Sequence, residues 1–147
     1  MLRVQSPLSD DVEQLIHGTI GCCIRVHREL GPGLFERIYV AALCVELKAT
    51  GISFEREKRY PVRYRGEVVS DQYLDLVVGN QLVLEVKAVE DLAPIHHKQI
   101  LNYLRIAGLR ARAVAQFQCR DLAGRPEPQD PLKICFVCFV PSPLSFS

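Results

Sequence analysis

The chain has 147 residues, 48% of them hydrophobic and 24% charged, with nine glycines, nine prolines and a formal net charge of +1. That is an ordinary globular composition, which excludes collagen, a coiled coil and wholesale disorder, while the near-neutral charge excludes a polybasic protein and leaves room for a local basic patch. A chain this long buries roughly 68–70% of its unfolded surface, so a single core needs neither disulfides nor a structural metal.

Met1-Leu-Arg-Val-Gln-Ser-Pro reaches polar residues at once, without the apolar stretch of a secretory leader. The longest strongly apolar run, Ile134 to Val140, falls far short of the roughly 20 residues of a membrane helix. Six cysteines include the adjacent pair Cys22-Cys23 and suit reduced, buried thiols better than a disulfide framework. A cytoplasmic location is the expectation.

Asp10 followed by Glu13 has the spacing of a capping box, and Val12, Leu15, Ile16, Thr19, Ile20, Cys23 and Ile24 then recur at helical spacing. A helix is predicted from about Asp11 to Leu30, stopped by Gly31-Pro32-Gly33, with a second helical stretch from about Phe35 to Ala49 closed by Gly51. From Ile52 the period changes to alternation, with Ile52, Phe54, Val62, Tyr64 and Val68 as the half-buried set of strands that turn at Arg65-Gly66-Glu67. The runs Tyr73 to Val78 and Leu82 to Val89 are rich in β-formers and joined through Gly79-Asn80-Gln81, a hairpin signal, and both read as central strands. After Pro94 the spacing of Ile95, Ile100, Leu101, Leu104 and Ile106 predicts a helix to about Ala107, and Ala113 to Phe117 reads as a last strand. The order helix, three strands, helix, strand defines an α/β class fold, an α+β sandwich with its sheet covered on at least one face.

The chemistry lies in the two central strands. Strand period places Glu85 and Lys87 on one face, and a hairpin brings Asp75 beside them. Two carboxylates a few Å apart repel each other unless a cation or proton intervenes, and hard oxygen ligands of this kind suit Mg²⁺ or Mn²⁺. A neighbouring Lys can activate water and offset phosphate charge, so the set is equipped for metal-assisted hydrolysis of a phosphodiester. Three such residues alone more often mean a cross-strand ion pair. Order and spacing add to them: Gly33-Leu-Phe-Glu36-Arg-Ile-Tyr39 precedes the strands and Gln99-Ile-Leu-Asn-Tyr103 follows them.

Together these residues resemble the GxxExxY family within the PD-(D/E)XK nuclease superfamily. Gly33, Glu36 and Tyr39 match the name-giving motif, and Gly51-Ile-Ser-Phe-Glu55-Arg-Glu57, Asp75, Leu84-Glu85-Val-Lys87-Ala88 and the Gln99/Tyr103 pair follow in the family's order, from about Val12 to Gly108. The resemblance implies a restriction-endonuclease-like core with a mixed sheet over residues 1–118, and a metal-dependent nuclease. It implies that Asp75 and Glu85 hold the divalent metal, Mg²⁺ or Mn²⁺, that Lys87 assists the attacking water, and that Glu36 completes the acidic cluster. Gln99 and Tyr103 resemble the QxxxY element that supports metal site and nucleic acid in related nucleases, and Tyr39 falls on the Glu36 helix as a further nucleic-acid contact. The implied partner is nucleic acid, DNA ahead of RNA. The alternative function is a catalytically inactive module that keeps the nuclease fold and binds nucleic acid or protein.

Arg59, Arg63 and Arg65 share strand parity, with Arg56 and Lys58 nearby, and such a stripe can follow a phosphate backbone or simply form a solvated face. His96-His97 open the Gln99 helix, and Cys135-x-x-Cys138 lacks the second ligand pair of a zinc site. Residues 119–147 read as a proline-rich tail outside the domain, and the Ile134 to Val140 run has no evident strand partner. Members of the resembled family continue with a strand reading Gly-Leu-Leu-Leu-Asn-Phe-Asn where this chain has Ala113-Val-Ala-Gln-Phe-Gln-Cys119. Codons for Ala113 to Cys119, read from their second base, can encode Leu-Leu-Leu-Asn-Phe-Asn, so a single-base frame shift between Gly108 and Ala113 is expected to underlie the divergent tail.

Overall fold

The computed structural model describes residues 8–88, 95, 108–109, 111–117 and 133–138. The predicted Gln99/Tyr103 helix, the His96-His97 pair and most of the tail lie outside the described residues.

Helix α1 spans Asp10–Leu30 and buries Val12, Thr19, Cys22, Cys23 and Val26, the inward stripe of its helical period. Its N-cap is Ser9, with no side-chain cap, so Asp10 is the first helical residue and not the capping residue its spacing suggested. Asp10, Asp11 and Glu13 instead favour the positive end of the helix through charge. Gly31, at φ +68°, ends the helix by donating its N–H to the His27 carbonyl. Helix α2, Glu36–Ala49, buries Tyr39, Val40, Leu43 and Leu47.

Among the described residues five strands follow: β1 (Phe54–Tyr64), β2 (Glu67–Val78), β3 (Leu82–Lys87), β4 (Ala111–Gln116) and β5 (Lys133–Cys138). They pair in chain order as one sheet, antiparallel except for the parallel β3–β4 pair, which the long connection from Lys87 to Ala111 permits. The α+β class, the mixed sheet and the central placement of β2 and β3 are as predicted. The apolar run expected to lack a partner supplies β5, which pairs antiparallel with β4 from Ala111↔Cys138 to Gln116↔Lys133.

One face of the sheet presents Leu76, Val78, Leu82, Leu84 and Val86 to the two helices, and Ala115 and Phe117 complete that core. Val77 and Val83 point the other way, where they meet Leu74 and, partly buried, Tyr60 and Leu109. Thus Leu74 and Leu76, two residues apart on one strand, serve opposite sides of the sheet. The reversal coincides with Glu57, a non-glycine residue at φ +51°, which sits on β1 between the ladder pairs Arg56↔Leu76 and Lys58↔Leu74. Beyond it β2 pairs with β1 alone, because only Leu76–Val78 of its twelve residues pair with β3. Alternation predicts Tyr64 and Val68 to be half-buried. They are exposed instead, since that part of the hairpin has left the body of the sheet.

Candidate active site

The chemical groups gather where β2 parts from β3. The last β2–β3 ladder pair is Leu76↔Leu84, and one more step of that register brings Asp75 opposite Glu85. Here the strand backbones separate, and the Asp75 side chain takes up the vacated role: its Oδ2 accepts the Val86 N–H at 3.0 Å. From α2, Glu36 reaches the same end of β3 and accepts the Ala88 N–H through Oε1 at 3.2 Å. Two carboxylates from distant parts of the chain therefore satisfy successive outward N–H groups around Lys87. Glu85 directly precedes this pair of N–H groups on β3 and is 5% exposed.

Burial pushes the Asp75 carboxyl above the usual carboxylate range, and the Glu36 charge adds to the effect. The Val86 N–H, the Lys87 ammonium and a hydrogen bond with Glu85 pull the other way without cancelling it. Burial thus disfavours the ionised form of Asp75, with the Glu36 charge as a smaller contribution, and a bound cation would offset both. Among the described residues no three His, Cys, Asp or Glu side chains form a ready-made cage. The donor set is instead two adjacent strand carboxylates, which fits Mg²⁺ or Mn²⁺, ions that keep several waters and take one or two carboxylates with substrate phosphate.

The Gly33/Glu36/Tyr39 spacing has a physical basis. Gly33 adopts φ +99° in the turn between the helices, a conformation that strains other residues. Glu36 is the first residue of α2, and Tyr39, fully buried one turn later, donates its hydroxyl to the Gly31 carbonyl at 2.7 Å and accepts the Leu34 N–H at 3.1 Å. The Tyr39 ring stacks on Phe117 at 4.3 Å between centroids, and the Phe117 N–H donates to the Lys87 carbonyl at 3.0 Å. Tyr39 thus staples the turn that aims Glu36 and links it to the strand carrying Lys87. The expectation that Tyr39 contacts nucleic acid is corrected: its hydroxyl is committed to the turn and its ring to the core.

The structure brings Asp75, Glu85, Lys87 and Glu36 together, whereas Gln99 and Tyr103 lie outside the described residues. Arg59, Arg63 and Arg65 stand apart on the β1–β2 hairpin. Arg59 pairs with Asp71 at 2.9 Å, Arg63 donates to the Gly66 carbonyl at 3.2 Å, and Arg65 lies over the Tyr64 ring at 5.6 Å. Sequence reasoning missed Gln116, which is buried and pairs in register with Lys87 on β4. A polar residue closing the Ala-Val-Ala-Gln stretch was the available signal. It also missed the backbone N–H groups of Val86 and Ala88 as the anchors of the acidic side chains.

The family model of the PD-(D/E)XK nuclease superfamily matches residues 13–125, and the chain belongs to that superfamily. No curated protein and no solved structure matches it. No described helix is long and apolar enough to cross a membrane.

Proposed function

We propose that this protein is a divalent-metal-dependent nuclease of the GxxExxY type, acting on DNA in the cytoplasm. The observation that carries the reading is the convergence of Asp75, Glu36 and the Glu85/Lys87 strand at the fork between β2 and β3, within a chain of the nuclease superfamily. Asp75 and Glu85 would hold Mg²⁺ or Mn²⁺, which when bound supplies Lewis acidity toward a phosphate and a lowered pKa for its water. Lys87, on the Glu85 face of β3, orients a water toward the phosphorus and offsets charge as it develops on the phosphate. Glu36 holds the end of β3 in place through Ala88 and deepens the negative field that attracts the cation. Free Cys22, Cys23 and Cys44 suit a reducing compartment, and burial pushes the Cys23 thiol up to about 12, which leaves it inert.

The test is a divalent-metal titration followed by incubation with single- and double-stranded DNA and RNA. DNA cleavage should require Mg²⁺ or Mn²⁺ and stop with chelator. Lys87→Ala should reduce cleavage at least about 100-fold while metal binding persists, because Lys is not a ligand. Undiminished cleavage by Lys87→Ala would reject its role, and no cleavage under any metal would leave the inactive binding module as the better account.

A further inference from the structure

The hairpin beyond the fork has no structural duty that explains its composition. Every residue from Arg63 to Asp71 is exposed, so neither face of its distal half is covered. Tyr64 is 64%, Val69 60% and Tyr73 58% exposed, an unusual concentration of large apolar side chains in water. Arg56, Lys58, Arg59, Arg63 and Arg65 accompany them, five cations against the three carboxylates Glu57, Glu67 and Asp71 over residues 56–73. Arg59 and Tyr73 are direct cross-strand partners, so cation and aromatic ring share one face of the ribbon.

We propose that this ribbon is an arm that enters the major groove of duplex DNA and lays the adjoining backbone across the acidic fork. The inference rests on the nuclease reading for its destination but on the ribbon alone for its occupant. A B-form major groove, roughly 12 Å wide, admits a two-stranded ribbon, whereas the major groove of duplex RNA is too narrow and deep for side chains to read. Single strands are held in grooves lined by cations and stacking rings, and this element is a projection, not a groove. The arginines reach phosphates along the groove walls, while Tyr64, Val68 and Val69 at the tip offer apolar contact to base edges such as the thymine methyl. The Arg59–Asp71 pair is exposed and contributes only about 0–1 kcal/mol, so a phosphate competes for that guanidinium. From Asp75 to the turn at Glu67 is eight residues of β2, or roughly 26 Å of extended chain, and the arm's root is Asp75 itself. DNA gripped along the arm therefore meets the carboxylates at its base.

The test is a fluorescence anisotropy titration of the full chain in chelator, at several salt concentrations, with a short DNA duplex, its single strand, and an RNA duplex of the same sequence. The DNA duplex should bind tightest. Combined Arg59→Ala, Arg63→Ala and Arg65→Ala should weaken it at least tenfold and reduce the slope of log K against log salt by about 2–3, near 0.9 for each phosphate no longer neutralised. The same three positions changed to Lys should keep most of the affinity, and the exposed pair Tyr64→Ser and Val69→Ser, which leaves the core intact, should lose duplex affinity with the salt slope unchanged. Equal or tighter binding of the single strand or of the RNA duplex, or an unaltered slope in the Ala variant, overturns the proposal. Cleavage plays no part without metal: a protein that grips duplex DNA through the ribbon yet never cuts refutes the nuclease reading and leaves the arm standing, and a metal-dependent nuclease indifferent to the ribbon does the reverse.

Discussion

The Asp75 carboxylate accepts the Val86 N–H at 3.0 Å, one register step beyond the last pair that β2 and β3 form as strands. An N–H left without a partner there would cost about 1–3 kcal/mol, so the side chain lets the strands part without leaving the end of the ladder open. The fork is thereby opened and chemically armed by the same residue.

Asp75→Asn keeps an acceptor for Val86 and removes the charge. A carboxyl whose pKa is raised on folding contributes stability that is full below its ordinary value of 3.8 and is lost as pH rises through the raised value. At neutral pH without metal, the wild type carries this penalty and the variant does not. Asp75→Asn should therefore be more stable by about 0.5–2 kcal/mol in urea unfolding at pH 7, with the advantage shrinking toward pH 4. A variant less stable than wild type at pH 7 would show that the charge is already fully compensated.

Tyr39→Phe keeps the stack on Phe117 and deletes both hydroxyl hydrogen bonds to the inter-helix turn. The loss should be about 1–3 kcal/mol in chemical denaturation, since the Gly31 carbonyl and Leu34 N–H lose a buried partner. Metal-dependent cleavage should fall as well, through looser placement of Glu36. Unchanged stability would mean that water replaces the hydroxyl at no cost.

The elements that local pattern specifies are readable in advance: the 3.6-residue stripe from Val12 to Val26, the run of β-formers from Leu82 to Lys87, and hence, by strand period, the shared face of Glu85 and Lys87. Asp75 beside Glu85 follows from the Gly79-Asn80 hairpin. The fork is not readable, because where two strands stop pairing has no local pattern, and neither has the left-handed Glu57 that coincides with the reversal of face. Tyr39 is misplaced for a related reason: a helical face names the direction of a side chain but not whether that direction is core or solvent. The β5 pairing is likewise a long-range event, set by the edge that β4 leaves open.

We propose that a single-base frame shift lies between Gly108 and Ala113, and the gene's DNA decides it. Its alternate frame from Ala113 should read Leu-Leu-Leu-Asn-Phe-Asn, which preserves phenylalanine at position 117, where it stacks on Tyr39, and puts leucine at the fully buried Ala115. A chain with the frame restored should be more stable by roughly 2–5 kcal/mol for each large apolar side chain that fills core space. An alternate frame without that reading, or with an immediate stop codon, contradicts the shift.

The central claim is that Asp75 and Glu85 make one divalent-cation site at the fork, and calorimetric titration of the full chain with Mn²⁺ at pH 7 addresses it without any substrate. Wild type should bind one ion, and the affinity should fall as pH is lowered toward the carboxylate range, where protons compete with the cation for the raised Asp75 carboxyl. Asp75→Asn and Glu85→Gln should each abolish the isotherm while the folded state persists. Mn²⁺ binding of undiminished affinity in either variant would contradict the site.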